Sequence, residues 1–156
     1  MLEVGNGRLT PEEERAHMAI WCLASSPLLA GNNLTAATPS VIEILTAPGP
    51  LSVNQDPLAL QGQLCGDGFD KNGVWQVWAK PLVGGATAVL LLNRNATATV
   101  NITLSFASCN ISSKATVLTD LWSGDTLSSS SRKAWSAEVQ PHSHRFVRIA
   151  PPGRNF

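Results

Sequence analysis

The stretch that divides this chain is SVNQDPLALQG, at residues 52–62. The residues before it predict helices and one short apolar run, and the residues after it predict short strands separated by turns. The stretch fits neither pattern. The ring of Pro57 disfavours a helical Asp56, and Gly62 permits backbone angles that other residues avoid. We therefore predict an ordered connector between an α/β part, residues 1–62, and an all-β part, residues 63–156.

The composition is typical of a globular protein. The chain has 156 residues, of which 44% are hydrophobic, enough for one ordinary domain or two small ones. Its 11 basic and 11 acidic residues balance, so the chain has no excess of positive charge that would favour binding to nucleic acid. No apolar run approaches the roughly 18 residues of a membrane span. We expect neither nucleic acid nor a membrane as a partner.

The first part begins with a well-marked helix. Thr10 is a good N-cap, Pro11 suits the first helical position, and Glu13 completes a capping box. The acidic residues 12–14 lie at the positive end of the helix dipole, which explains them without catalysis. The pattern continues to Ala24, and we interpret His17 as a packing residue.

Two further elements complete the α/β part. The apolar run at residues 28–30, stopped by GNN, has the length of a buried strand. A second helix starts at Thr38-Pro39 and is predicted to end by residues 48–50. This order corresponds to about two βα units of a parallel α/β structure. It is too short for a complete (β/α)₈ barrel of about 250 residues.

The all-β part shows a period of two. Strands are predicted at residues 74–79, 86–92, 99–106, 116–122, 135–139 and 144–149. The run at 86–92 is too apolar for a solvated edge, so we expect a central strand there. In 99–106 one face is apolar and the other polar. Strands at this spacing predict an antiparallel sandwich or barrel.

Cysteines and glycosylation sequons hint at a secretory route. Cys22, Cys65 and Cys109 cannot all pair with one another, and a Cys65–Cys109 disulfide is an option that the sequence leaves open. Four N-x-[ST] sequons give candidate glycosylation sites, a mild excess over chance: Asn33, Asn95, Asn101 and Asn110. The chain does not open with a signal peptide. We expect from this that an N-terminal part is missing.

The sequence contains no convincing catalytic constellation. It has no phosphate-binding loop, no nucleophile elbow and no HExxH motif. Its carboxylates fall at a helix start, in turns or at scattered positions, and none forms the pair that glycoside hydrolysis needs. His142 and His144 flank a turn without a third ligand, so we interpret them as structural or surface residues. We expect no metal and no cofactor.

Four stretches nevertheless resemble a known family. They are MLEVGNG at residues 1–7 with Leu9-Thr10 and Glu13-Glu14, SPLLAGN at 26–32, NQDPL at 54–58 with Gln61-Gly62, and DLWSG at 120–124. In this order and spacing the chain resembles the α-galactosidases of glycoside hydrolase family 27. The resemblance spans almost the whole chain and is densest up to Gly62.

The resemblance implies a fold and an activity. Residues 1–62 would be the last two βα units of a (β/α)₈ barrel, and residues 63–156 an antiparallel β-sandwich. The family hydrolyses terminal α-galactosides with retention, using an aspartate nucleophile and an aspartate acid/base. Both lie on barrel strands before the stretch that Met1 matches, so the isolated chain is expected to be inactive. Met1, and the strand-end loop at residues 31–33, would approach the substrate. Asn33 departs from the family, whose members usually have Asp there.

The resemblance also implies partners and a location. The parent enzyme would bind an α-galactoside, and this chain would assemble with an N-terminal barrel portion. The location would be the secretory pathway, ending outside the cell or in the lysosome or vacuole. The alternative is a carbohydrate-binding β-sandwich that does not cleave its ligand. In that alternative, exposed tryptophans stack on sugar rings, the candidates being Trp75, Trp78, Trp122 and Trp135.

Overall fold

The computed structural model describes residues 1–112, 117–127 and 133–152. Its helices are α1 (Pro11–Leu23), α2 (Pro39–Thr46) and α3 (Pro48–Asn54), with 3₁₀ turns at Leu34–Ala36 and Val83–Gly85. The strands are β1 (Gln63–Phe69), β2 (Trp75–Pro81), β3 (Thr87–Asn93), β4 (Val100–Ser105), β5 (Val117–Asp120), β6 (Thr126–Leu127), β7 (Ala134–Val139) and β8 (His144–Ala150). None of the helices in these ranges is long and apolar enough to span a membrane.

Helix α1 forms as predicted. Glu13 N donates to Thr10 Oγ1 at 3.3 Å, and Thr10 N donates to Glu13 Oε2 at 2.8 Å, which is the expected capping box. At the other end, Ser25 adopts a positive φ of 52°. The following Ser26 N donates back to Trp21 O at 3.1 Å, closing the helix in a Schellman motif.

The second predicted helix ends before residues 48–50, as expected, but a third helix that was not predicted follows it. Helix α2 ends at Thr46, and Pro48 begins a further helix, α3, instead of stopping the previous one. A proline is tolerated at the first helical position because its missing N–H would have no partner there in any case. Residues 52–54, predicted to belong to the connector, are therefore the last turn of α3. The irregular connector is limited to residues 55–62.

The buried strand predicted at residues 28–30 was also wrong in extent. The structure forms a single parallel bridge between Leu2 and Ala30, in which Leu2 N donates to Leu29 O at 2.8 Å. Leu29 is 60% exposed. Within the described part of the chain this segment makes one bridge, at Ala30, and Leu28 and Leu29 do not extend it into a strand.

The all-β part is an antiparallel β-sandwich. One sheet has six strands in the order β1-β2-β3-β8-β5-β6, and the other consists of β4 and β7. The predicted strand at 86–92 is confirmed as β3 and is central, between β2 and β8. Strand β5 covers most of the predicted strand at 116–122, whose residue 116 lies outside the described ranges. Strand β1 was not predicted.

The six-stranded sheet is covered on both faces. Leu90 and Phe146 pack with residues of α1 and α2 such as Met18 and Ile44, in one apolar cluster. The neighbouring positions on the strands point the other way and pack against β4 and β7, in a second cluster that includes Ile102. A strand buried on both faces reads as a continuous apolar run, which explains residues 86–92.

A buried lysine fastens the helices to the sheet. Lys80 on β2 has no exposed surface, and its Nζ donates to Ser25 Oγ at 2.6 Å and to Val53 O at the end of α3. Burial lowers the pKa of Lys80, and the nearby Asp56 carboxylate opposes that shift. Asp56 Oδ2 in turn accepts from Val83 N at 3.0 Å. We call this group the seam between the two parts, and it consists of Ser25, Val53, Asp56, Lys80 and Val83.

Two of the three cysteines are paired. Cys65 on β1 and Cys109 form a disulfide, the option left open by the sequence. Cys22 is a buried free thiol, and burial raises its pKa to about 12. It is therefore protonated at neutral pH and unreactive, because the thiolate is the nucleophilic form.

Candidate substrate-facing edge

Two chain segments meet at one edge of the helical part. Leu2 and Ala30 pair in parallel, so the chain leaves both segments in the same direction. The carboxyl ends of parallel strands are where α/β folds place their sites. We call residues 1–5 and 30–33 the strand-end edge.

Met1 lies beside Gly31 at this edge. A Cβ atom added to Gly31 would stand 2.5 Å from Leu2 O and 3.4 Å from Met1 Cβ. Only glycine permits so close an approach of the two backbones. Met1 itself is 71% exposed, so its side chain is available for contact. The structure thus brings together Met1 and the loop that the resemblance placed near a substrate.

Replacing Gly31 by alanine should disrupt this edge. The new methyl group would overlap the Leu2 carbonyl, and overpacking of this kind costs about 1–3 kcal/mol. The matched control is Gly66→Ala in β1, where an added Cβ meets nothing within 4 Å. Hydrogen exchange of the Leu2 amide should speed up in Gly31→Ala and stay unchanged in Gly66→Ala. Equal exchange rates in both variants would show that the approach at Gly31 is not tight.

The turn after Leu2 is held by helix α1. Gly5 N donates to Glu14 Oε1 at 2.7 Å, and Glu3 N donates to His17 Nε2 at 3.2 Å. Glu14 is 7% exposed. Burial lowers the pKa of His17, although the Glu3 carboxylate acts in the opposite direction, so the ring can accept this bond in its neutral form. The helix-start explanation of residues 12–14 was therefore incomplete, because Glu14 also fixes the turn.

Asn32 belongs to the loop that the resemblance placed near the substrate, but the surroundings of its side chain were not predicted. Its amide packs against Gly5, where an added Cβ would lie 2.7 Å from Asn32 Nδ2. Both polar atoms of this amide are buried and have no hydrogen-bond partner within the described ranges. Leaving a buried amide without a hydrogen-bond partner lowers the stability of the fold by about 1–3 kcal/mol. The sequence offered no signal for it beyond its place in the loop.

Asn33 has a local role. Its Oδ1 accepts from Thr35 N at 3.1 Å and from Thr35 Oγ1 at 2.7 Å, capping the 3₁₀ turn Leu34–Ala36. An aspartate, as the resemblance leads one to expect here, could accept the same two bonds. The other three sequons lie in the β-sandwich.

Two carboxylates in turns of the sandwich, Asp70 and Asp120, accept from backbone amides. Asp70 Oδ1 accepts from Val74 N and Trp75 N. Asp120 Oδ1 accepts from Trp122 N at 2.8 Å. Over residues 1–112, 117–127 and 133–152, no cluster of histidine, cysteine and acidic side chains is suited to a metal ion.

The two histidines near the last turn make structural contacts. His142 Nδ1 lies 2.8 Å from Glu13 Oε1, and this bond, with those from Thr10, lowers the pKa of Glu13 to about 2. His144 is 7% exposed, and its Nε2 accepts from Trp122 Nε1 at 2.8 Å. Burial, with Arg145 and Arg15 nearby, lowers the pKa of His144 to about 3.

Acid should therefore destabilise the protein through His144. The unfolded chain takes up this proton near pH 6.5, whereas the folded chain stays neutral down to about pH 3. Stability should fall as pH falls through that window, by up to about 1.4 kcal/mol per pH unit. His144→Gln keeps an acceptor for Trp122 but does not titrate. Between about pH 7 and pH 5 the urea midpoint should fall less in this variant than in the wild type. An equal fall in the two proteins would contradict the assignment.

The tryptophans do not offer an exposed stacking surface. Trp75 and Trp135 pack against the cluster between the two sheets, and Trp78 and Trp122 pack against the cluster under the helices. All four are only half-exposed or less. Arg15 lies over the ring of Trp122, 5.9 Å from its centre. This arrangement does not favour the carbohydrate-binding alternative, which needs open aromatic faces.

Comparison with known proteins defines the class. Residues 72–149 match the family described as the alpha galactosidase C-terminal beta sandwich domain. The chain is 41% identical over 150 residues to alpha-galactosidase 2 of Arabidopsis thaliana, covering 96% of the chain and 36% of that protein. It is 36% identical over 152 residues to an alpha-galactosidase of Cyamopsis tetragonoloba, covering 97% of the chain and 36% of that protein.

A solved structure agrees with these matches. The crystal structure of alpha-galactosidase I from Mortierella vinacea superposes with a TM-score of 0.86 at 28% identity, over 100% of this chain and 40% of that one. The class is thus that of glycosidases that carry a β-sandwich domain. The chain belongs to the α-galactosidases of glycoside hydrolase family 27, and it matches their C-terminal portion. It spans 36% of the length of the two plant relatives.

Proposed function

We propose that this chain is the C-terminal part of a retaining α-galactosidase-type glycoside hydrolase that cleaves terminal α-galactosides. The observation that carries the proposal is the strand-end edge, where Met1 and the loop at residues 31–33 meet. The 41% identity to an α-galactosidase over nearly the whole chain supports it.

In this proposal residues 1–62 are the last two βα units of a (β/α)₈ barrel. The parallel pairing of Leu2 with Ala30 supports this, since parallel neighbours are the rule in such barrels. Each paired segment is followed by a helix, α1 after the first and α2 after the second. In the same proposal residues 63–156 are the β-sandwich domain, whose described strands pack on these helices through the seam and the apolar cluster that includes Leu90 and Phe146.

The chemistry would be shared with the rest of the barrel. Retaining hydrolysis uses two carboxyl groups about 5–5.5 Å apart, one as nucleophile and one as acid and then base. In the proposal both are aspartates on earlier barrel strands. This chain supplies Met1 as an apolar contact for the bound sugar, and α1 holds the turn behind it through Glu14 and His17.

The partner proposed for this chain is an N-terminal barrel portion. Three large apolar side chains of residues 1–34 are more than half exposed, at Met1 (71%), Leu29 (60%) and Leu34 (55%). Water contact is unfavourable for apolar surface, and a covering layer would remove it. Earlier barrel strands, pairing beside residues 28–30, are the layer that we propose.

We also propose a secretory route, ending outside the cell or in the lysosome or vacuole. The Cys65–Cys109 disulfide supports it, because disulfides persist mainly in oxidising compartments. The four sequons are consistent with the same route.

The isolated chain is expected to be inactive. Purified protein should not hydrolyse p-nitrophenyl α-galactoside above the rate in buffer, because both proposed catalytic aspartates lie outside it. Calorimetry with galactose should show no saturable heat, since the edge alone provides few contacts. Hydrolysis by the pure chain would contradict the placement of the catalytic groups, and saturable binding would favour the carbohydrate-binding alternative.

A further inference from the structure

The four sequons differ in how the fold presents them. Asn101 on β4 and Asn110 are exposed, as is Asn33, whereas Asn95 is half-buried. Asn95 and Asn110 lie in hydrogen-bonded turns, and Asn33 lies at the strand-end edge. Asn101 differs from all three because it lies on the exposed face of a strand.

Asn95 and Asn110 belong to folded turns. Asn95 Oδ1 accepts from Thr97 N at 2.9 Å and Ala98 N at 2.8 Å, and its backbone carbonyl accepts from His142 N. Asn110 has a positive φ of 55° and follows the disulfide residue Cys109. The middle residue of its sequon, Ile111, is 6% exposed and donates its N–H to Phe106 O at 2.8 Å. The sequon of Asn110 is therefore part of a hydrogen-bonded turn beside the disulfide, although Asn110 itself is exposed.

Asn33 stands at the strand-end edge. Its Oδ1 is bonded twice to Thr35, and Gly31 and Asn32 precede it. An oligosaccharide attached here would occupy the edge at which we propose that substrate approaches.

Asn101 lies on the water-facing side of the β4–β7 sheet. Its neighbour Ile102 has no exposed surface, so Asn101 and Thr103 both point outward with the period of two of a strand. Across the sheet, Asn101 faces Glu138 and Thr103 faces Ser136, with 2.9 Å between the two hydroxyl oxygens. The side-chain amide of Asn101 has no bond to another side chain or turn within the described ranges. The neighbours of Asn101 on this face are polar, namely Thr103, Ser136 and Glu138.

We propose that Asn101 is the principal N-glycosylation site of this chain. An oligosaccharide carried on a lipid pyrophosphate is the donor. The bond between its anomeric carbon and the pyrophosphate oxygen breaks, and a bond from that carbon to Asn101 Nδ2 forms. The amide loses one proton, and the lipid pyrophosphate leaves. This inference rests on the proposed secretory route and is independent of the proposed catalytic role.

The test is to express the full chain behind a secretion signal in a eukaryotic host. Enzymatic removal of glycans in ¹⁸O-water followed by mass spectrometry measures the occupancy of all four asparagines. We expect Asn101 to have the highest occupancy. The result that would overturn the proposal is a higher occupancy at Asn33, Asn95 or Asn110 in secreted, disulfide-bonded protein.

Two matched variants separate the acceptor from its surroundings. Thr103→Ala removes the sequon without changing Asn101, and Thr103→Ser keeps it. The glycan at Asn101 should be lost in the first and kept in the second, and its survival in Thr103→Ala would also overturn the proposal. Because the host supplies the secretory route, a failure here leaves the proposed glycosidase role untouched, and the activity measurements test that role separately.

Discussion

Removing the Cys65–Cys109 disulfide is expected to lower the free energy of unfolding by about 4 kcal/mol. The bond joins β1, the edge strand of the large sheet, to the turn after β4 across 44 positions of sequence. Breaking it frees that loop in the unfolded chain, and the loop-entropy model gives a cost of this size. Strand β1 pairs only with β2 within the described ranges, so it has few other contacts to hold it.

The measurement compares urea unfolding of the wild type with that of a variant carrying Cys65→Ala and Cys109→Ala. Dithiothreitol should destabilise the wild type to a similar extent and leave the double variant unchanged, since the remaining Cys22 is unpaired. A loss of less than about 1 kcal/mol would mean that the bond constrains the unfolded chain little.

Lys80→Met is expected to cost about 2–4 kcal/mol. Methionine fills a similar volume but cannot donate, so Val53 O and Ser25 Oγ lose the donor that joins them to β2. Replacing a buried charge by an apolar group can be neutral when every partner is replaced too, but here the partners remain. The loss should also weaken the attachment of the helices to the sheet.

The matched control is Lys71→Met, at an exposed position in the turn before β2. Its urea midpoint should stay within error of the wild type, whereas that of Lys80→Met falls. Hydrogen exchange should be faster in α3 of Lys80→Met, because Val53 lies in that helix. Equal midpoints for the two variants would show that the seam does not depend on Lys80.

Local signals in the sequence predicted much of the fold. The capping residues Thr10 and Glu13 are three positions apart, so the start of α1 could be predicted from neighbours alone. The alternation around Ile102 predicted the two faces of β4. The apolar run of β3 predicted a central strand because both of its faces are covered.

What could not be predicted depends on contacts distant in sequence. A lysine in a strand is ordinarily expected on the wet face, and the burial of Lys80 is decided by Ser25 and Val53, 55 and 27 positions away. From its neighbours in sequence Glu14 is predicted only as a residue of the helix start. Its bond to Gly5 N depends on a turn nine positions away. Strand β1 contains two glycines and buries only Cys65 and Gly68, so it shows no alternating pattern.

The strand-end edge was predicted only through the resemblance. Met1 and the loop at residues 31–33 share no motif that composition or spacing could identify. Their meeting depends on one parallel bridge and on the close approach at Gly31. The unpaired amide of Asn32 was not predicted, because it becomes visible only when its surroundings are known.

The most direct test of the proposed function is a chimera. In alpha-galactosidase 2 of Arabidopsis thaliana, the region that aligns with this chain over 150 residues would be replaced by this chain. The account predicts a soluble enzyme that hydrolyses p-nitrophenyl α-galactoside, with a raised KM when Met1 is replaced by alanine and no change for Gly66→Ala. A folded chimera that does not hydrolyse the substrate would contradict the proposed role of this chain, and so would one whose KM is unchanged by Met1→Ala.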